Sequence, residues 1–158
     1  MSAFKILDES GRLQLLNRQS SQGTASCYLD VDATGKAIVV ANYSSGNVAS
    51  LPIQRDGSLG EAGTVIQHEG TSVHPQRQTG PYAHSIEVSP DNRFVFAADL
   101  GLDKILCYRL NATASMLTPH EQPFVRLPPG SGPRHLTFHP DGRQVYVINE
   151  LSNTVTHY

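Results

Sequence analysis

The sequence predicts an all-β protein built as a β-propeller of four-stranded antiparallel blades, and three observations lead to that prediction. A segment of one pattern occurs three times, as CYLDVDATGKAIVVANYSSGNV, HSIEVSPDNRFVFAADLGLDKI and RHLTFHPDGRQVYVINELSNTV. An Asn or Asp closes the apolar run in each copy, at Asn42, Asp99 and Asn149, roughly every 50 residues. No stretch carries a helical period with caps. Four-stranded units at this spacing are typical of propeller blades.

Strands of the first copy are predicted from runs of β-branched and aromatic residues bounded by Gly, Pro, Asn or Asp. They are Tyr28 to Val31, Ala37 to Ala41, Val48 to Pro52 and Thr64 to Gln67. A turn from Asp32 to Gly35 separates the first two, with Gly where φ can be positive.

The second and third copies follow the same order of strand, tight turn and strand. The predicted strands of the second copy are Ser85 to Val88, Phe94 to Ala98, Lys104 to Leu110 and Phe124 to Leu127. Those of the third copy are His135 to Phe138, Val145 to Asn149 and Thr154 to Tyr158. Pro-Asp-Asn and Pro-Asp-Gly form the turns after the first strand of these two copies.

Partial blades are predicted at both ends of the chain. Phe4 to Ile6 and Leu13 to Leu16 resemble outer strands of a preceding blade, and the sequence stops inside a predicted strand. The predicted division is therefore a blade part over residues 1–22, blades over 23–79 and 80–129, and a partial blade over 130–158. Because a propeller normally closes to remove its edges, we expect a fragment of a longer propeller. A closed barrel of six to eight strands suits the length but leaves the repeat unexplained.

Composition and charge exclude several classes of function. The 158 residues include 12 basic and 14 acidic ones, for a formal net charge of −2, and no basic stripe that would indicate nucleic-acid binding. No apolar run approaches the ~18 residues of a membrane span, and no signal peptide opens the chain. The two cysteines, Cys27 and Cys107, are expected to be reduced packing thiols, and the protein to be cytoplasmic.

Three polar residues are predicted to meet at the mouth of the propeller channel. Aligning the second and third copies places His84 on Arg134, each shortly after a Gly-Pro and at the start of the strand that lines the channel. Glu150 directly follows Asn149 at the end of the next strand. A base, a cation and a carboxylate around one cavity are typical of hydrolytic or lactone chemistry.

Simpler interpretations of the polar residues stay open. A single His in a β protein is often a hydrogen-bonded rim residue, and Glu150 alone suits a solvated turn. Asp99, Asn42 and Asn149 are expected to cap turns with their side chains. His135 and His139 share a strand face but lack a third ligand with suitable spacing, and phosphate-loop Gly patterns are absent. We therefore predict neither a metal site nor a cofactor.

Two long motifs resemble the lactonase-type seven-bladed β-propeller family. They are RQTGPYAHSIEVSPDNRFVFAADLGLDKI and GPRHLTFHPDGRQVYVINELSNTV. The resemblance implies a ring of seven blades in a chain about twice this long, without a cofactor. It implies hydrolysis of a sugar lactone, with 6-phosphogluconolactone as the first candidate within the pentose phosphate pathway. The carried-over catalytic residues are His84, Arg134 and Glu150, and Arg77 and His135 are expected to contact substrate. Tyr82 departs from the family, whose members often have His there.

Two other functions remain open from the sequence. The same three residues would suit a muconate-type lactonizing enzyme, which is also a member of the family that the motifs resemble. A propeller without catalysis, acting as a binding scaffold, would instead use top-face loops such as GTSVHPQRQTG at Gly70 to Gly80. The only partner predicted for the enzyme is its small-molecule lactone. The oligomeric state is not predicted.

Overall fold

A computed structural model describes all residues 1–158 as β-strands, turns and loops, without any helix. No helix long or apolar enough to cross a membrane is therefore present. The thirteen strands are β1 (Ser2–Ile6), β2 (Leu13–Arg18), β3 (Ser26–Val31), β4 (Ala37–Asn42), β5 (Asn47–Pro52), β6 (Thr64–Gln67), β7 (Ala83–Val88), β8 (Phe94–Asp99), β9 (Lys104–Asn111), β10 (Met116–Arg126), β11 (Pro133–Phe138), β12 (Val145–Asn149) and β13 (Thr154–His157).

Sequential strands pair antiparallel in four separate sheets. β3 to β6 form one four-stranded sheet and β7 to β10 form the next, both in simple sequence order. β11 to β13 make a three-stranded sheet, and β1 pairs with β2. The predicted four-stranded antiparallel blades are thereby confirmed.

The first strands of successive sheets lie side by side. β7 contacts both β3 and β11, and it also packs against β4. Because the connections within each sheet lead outward from this first strand, the sheets are arranged like blades around a centre. Side chains of β3, β7 and β11 are consequently brought close together, although they are far apart in sequence.

Apolar side chains fill the spaces between neighbouring sheets. One cluster joins the first and second complete sheets and includes Val39, Val48, Ile86, Val95 and Tyr108. Another joins the second and third sheets and includes Ala98, Ile105, Leu127, Leu136 and Val147.

The outer strand β10 is longer than predicted. It begins at Met116 rather than Phe124, and its pairing with β9 shifts register between Pro119 and Phe124. Two prolines and the polar run between them hide this strand from a pattern search. The two prolines are tolerated because β10 is the outermost strand of its sheet, where a backbone N–H need not pair.

A buried polar network connects the first and second complete sheets. The Asp99 Oδ2 atom lies 2.7 Å from Nδ1 of His68, whose Nε2 lies 2.8 Å from the Tyr108 hydroxyl oxygen. Asp99 Oδ1 accepts hydrogen bonds from the backbone N–H groups of Tyr82 at 2.8 Å and Gly101 at 3.0 Å. Asp99 thus caps the turn as predicted, and it also holds Tyr82, two residues before His84.

Candidate active site

Equivalent β-bulges present His84 and Arg134. In β7, Ala83 pairs with Asp99 and Ser85 pairs with Ala98, so that His84 is an extra residue without a partner. The same shift in β11 leaves Arg134 unpaired between Pro133 and His135. A bulge re-aims a side chain and often lies beside a functional site. The predicted equivalence of these two positions is therefore also a structural equivalence.

Cys27 occupies the same bulge position in β3. Ser26 pairs with Asn42 and Tyr28 pairs with Ala41, which leaves Cys27 as the extra residue. Its thiol is exposed and lies 3.2 Å from the backbone carbonyl oxygen of His84. The prediction of a packed thiol is thus wrong for Cys27, because the bulge turns it out of the core, whereas Cys107 is buried.

Glu150 lies between two guanidinium groups. Arg134 Nε is 3.1 Å from Glu150 Oε2, and Nη2 of Arg77 donates a short hydrogen bond to Glu150 Oε1. Arg134 Nε also lies 3.2 Å from Nε2 of His84, where the imidazole is the acceptor. Four of the five predicted site residues therefore form one continuous cluster.

The charges in this cluster set the ionisation of its members. Burial, together with the positive charges of Arg134 and His135, lowers the pKa of the His84 imidazole. Burial alone would raise the pKa of the Glu150 carboxyl, but the hydrogen bond from Arg77 and the charges of Arg77 and Arg134 bring it below its usual value. Near neutral pH the cluster thus contains a neutral imidazole and a carboxylate held by two cations.

Aromatic rings extend from this cluster in both directions. His135 lies edge-on to His84, with ring centroids 5.2 Å apart, and its other neighbour is Tyr28 at 5.3 Å. A second ring beside His84 is that of Tyr43, whose centroid lies 5.2 Å away and which stacks on Tyr82 at 5.0 Å. His135, the fifth predicted residue, is therefore in contact with the site through His84.

A structured loop carries Arg77 into the site. Within the loop between β6 and β7, the buried Gln78 side chain accepts a hydrogen bond from the backbone N–H of His74 at 2.9 Å. Its Nε2 donates to the carbonyl oxygen of Leu100, also at 2.9 Å. The neighbouring residue Arg77 is consequently held in place by a buried side chain.

A cavity of about 400 Å³ adjoins the cluster. Arg134 and Glu150 form part of its wall, together with residues of β12, β13 and the turn between them. Ile148 and Val155 in its wall are 52% and 65% exposed, so the cavity lies on the open face of the last sheet, and His84 is not part of its lining. No group of three or more His, Cys, Asp or Glu side chains is arranged to hold a metal ion.

Glu87 lies further along β7 and was not predicted as a functional residue. Burial raises the pKa of its carboxyl to about 7, aided by the negative charge of Asp30, while the hydrogen bond from Tyr28 opposes the rise. The Tyr28 hydroxyl donates to Glu87 Oε1 at 3.2 Å. The ionised form of Glu87 is thus disfavoured in the folded protein.

We expect the Glu87→Gln variant to change the pH dependence of stability. The folded-state pKa lies above the ordinary value of 4.5, so the stabilisation is complete below that value and is lost as pH rises through about 7. The variant should be more stable than the parent by about 1 kcal/mol at pH ~8, with solvent screening reducing the effect, and equal to it at pH ~4. Urea denaturation measures this, with the exposed Glu61→Gln as control. Equal stabilities at both pH values would contradict the prediction.

Comparisons with known proteins agree with this architecture. The family model described as lactonase, 7-bladed beta-propeller, matches residues 1–158. The 6-phosphogluconolactonase of Bacillus subtilis is 39% identical over 155 residues, which cover 98% of this chain and 43% of that protein. The enzyme of the same name from Formosa agariphila is 31% identical over 159 residues, covering 100% of this chain and 45% of the relative.

A solved structure extends the similarity to three dimensions. The periplasmic gluconolactonase of Pseudomonas aeruginosa superposes with a TM-score of 0.92 at 39% identity, covering 99% of this chain and 44% of that one. The chain therefore spans less than half the length of the curated relatives and the solved structure that it matches.

Proposed function

Because the chain belongs to the lactonase family of seven-bladed β-propellers, we propose that the protein at its native length hydrolyses a sugar lactone, with 6-phosphogluconolactone as the first substrate to test. The observation that carries the proposal is the contact of Arg134 with both His84 and Glu150. The relatives from Bacillus subtilis and Formosa agariphila are named for this substrate, and the one from Pseudomonas aeruginosa is named for gluconolactone.

His84 is the proposed general base. Its lowered pKa keeps the imidazole neutral near neutral pH, and the hydrogen bond from Arg134 requires an unprotonated Nε2. A water molecule that takes over this hydrogen bond transfers a proton to Nε2 as its oxygen attacks the lactone carbonyl carbon. Such a base contributes roughly 10²–10⁴-fold to the rate. Glu150 is a weaker base because two cations stabilise its carboxylate.

Arg134 is the proposed stabiliser of the oxyanion. The guanidinium lies beside the base, so negative charge forming on the carbonyl oxygen meets a fixed positive group. Collapse of the tetrahedral intermediate breaks the bond to the ring oxygen, which takes the proton back from His84 and becomes a hydroxyl. Water and lactone thus yield the hydroxy acid, and Glu150 keeps both arginines oriented throughout.

Arg77 and His135 are the proposed substrate-binding residues. Arg77 uses one N–H group on Glu150, which leaves other donors of its planar fork for a phosphate or a sugar hydroxyl. His135 lies next to His84, with a pKa lowered by burial and by the charge of Arg134. It is therefore a neutral hydrogen-bonding partner near neutral pH.

The pH profile of the reaction is expected to reflect the lowered pKa of His84. The midpoint of the acid limb of kcat/KM should lie below 6.5, the ordinary pKa of histidine, because the free base persists to lower pH. Steady-state kinetics across the acidic range measure this limb. His84→Gln should remove the limb along with most of the activity. A limb above the ordinary value, or one that persists in the variant, would exclude His84 as the base.

Comparing three substrates tests the proposed function itself. The protein is assayed with 6-phosphogluconolactone, with gluconolactone and with cis,cis-muconate, and spontaneous lactone opening is subtracted. Hydrolysis of either lactone without turnover of the diacid is the expected result. Turnover of the diacid alone would instead favour a lactonizing enzyme, and no turnover of any substrate would favour a binding scaffold.

The division into blades and the cellular compartment are further parts of the proposal. The four sheets suit the boundaries 1–22, 23–79, 80–129 and 130–158, within a propeller that the native-length protein completes. We retain the cytoplasm as the predicted compartment, and fractionation of the source cells tests that choice against the periplasm. The proposed chemistry uses only side chains and water.

A further inference from the structure

Tyr43 reaches from the first complete sheet into the proposed active site of its neighbour. It directly follows β4, and its ring lies edge-on to His84 with centroids 5.2 Å apart and an interplanar angle of 74°. The opposite neighbour is Tyr82, whose ring stacks on it at 5.0 Å and 29°.

The loop that carries Tyr43 is firmly seated against the second sheet. Gly46 has φ of 62°, and a Cβ atom added there would lie 2.4 Å from the carbonyl oxygen of Pro81. The backbone N–H of Tyr43 donates to the carbonyl oxygen of Ala25 at 3.0 Å. The close approach at Gly46 and this hydrogen bond leave the ring little freedom to move relative to Tyr82 and His84.

The Tyr43 ring lies against the proposed base. It is edge-on to the His84 imidazole, and burial is the largest cause of the lowered pKa of that imidazole. A residue outside the catalytic cluster therefore contributes to the burial of its base.

We propose that Tyr43 is a positioning residue that shields His84 from water through its ring, an inference that rests on the proposed lactonase function. It does not contact the reacting atoms. Phenylalanine retains the ring and alanine removes it, so the two variants isolate the contribution of the ring.

Other titratable groups around His84 stay unchanged in these variants. Those that face it from the neighbouring strands and turns are Cys27, Arg134, His135 and Glu150. Because none of them is altered, a change in His84 titration between Tyr43→Phe and Tyr43→Ala reports on the ring alone.

The test combines NMR titration of the His84 imidazole with kinetics, in the native-length protein. In Tyr43→Ala the pKa of His84 is expected to move up towards its ordinary value, and the acid limb of kcat/KM to move with it. In Tyr43→Phe neither should move, because the ring is retained. Tyr82→Phe is the matched control, since its hydroxyl meets only Thr79, at 3.1 Å.

The outcomes for Tyr43 and for the proposed function are distinguishable. An unchanged His84 titration in a folded Tyr43→Ala protein would overturn shielding by the ring. Should that variant fail to fold, a rise of the His84 pKa to its ordinary value in Tyr43→Phe, which keeps the ring, would still overturn it. Absence of lactone hydrolysis in the parent would overturn the function, and the NMR titration would still decide on the ring.

Discussion

Replacing Arg134 by alanine is expected to lower kcat/KM for lactone hydrolysis by about 10²–10³-fold, the usual cost of removing one donor to a developing oxyanion. Arg134 contacts both His84 and Glu150, so its loss also frees the carboxylate beside the base. The fold should survive, because the side chain is 46% exposed and belongs to a bulge rather than to the core. Steady-state kinetics and thermal unfolding measure the two effects.

A matched control for this variant is Arg109→Ala. Its side chain is 44% exposed and lies 2.8 Å from Glu121, so it resembles Arg134 in exposure and in having a carboxylate partner. Arg109 belongs to β9 and pairs with residues of the outer part of its sheet. It should retain full activity. Equal kcat/KM in the Arg134 variant and in the parent protein would remove Arg134 from the mechanism.

Replacing Asp99 by alanine is expected to lower the free energy of unfolding by about 3–5 kcal/mol, because several buried donors lose their acceptor at once. The side chains of Asp99 and His68 are both fully buried, and the backbone N–H groups of Tyr82 and Gly101 have Asp99 as their partner. Urea denaturation measures the loss.

Two further variants make the Asp99 prediction specific. Asp99→Asn retains an oxygen acceptor for Tyr82 and Gly101 and should lose less than half as much stability. Asp56→Ala removes an exposed aspartate that binds only Ser58 in its own turn, and it should have little effect. An alanine variant at position 99 as stable as the Asp56 variant would contradict a structural role for the buried network.

The blades and the closeness of His84 to Arg134 could be predicted from the sequence because both depend on the repeat. Asn42, Asp99 and Asn149 end equivalent strands, and His84 and Arg134 occupy equivalent positions shortly after a Gly-Pro. These features recur at similar distances along the chain, 57 residues from Asn42 to Asp99 and 50 from Asp99 to Asn149. Aligning the copies therefore reveals them without knowledge of tertiary contacts.

Features that depend on contacts between sheets could not be predicted in this way. Arg77 and Glu150 are 73 residues apart, and Tyr43 meets His84 only because a loop packs on the next sheet. Cys27 did carry a signal, since extending the alignment to the first copy would have placed it at the bulge. The raised pKa of Glu87 depends on burial, which no local pattern encodes.

The most direct test of the central claim is a crystal structure of the native-length protein with bound 6-phosphogluconate, the product of the proposed reaction. The product carboxylate is expected within hydrogen-bond distance of both Arg134 and His84, with Glu150 still paired to Arg77. A product molecule bound away from this cluster, with the four side chains untouched, would contradict its assignment as the active site.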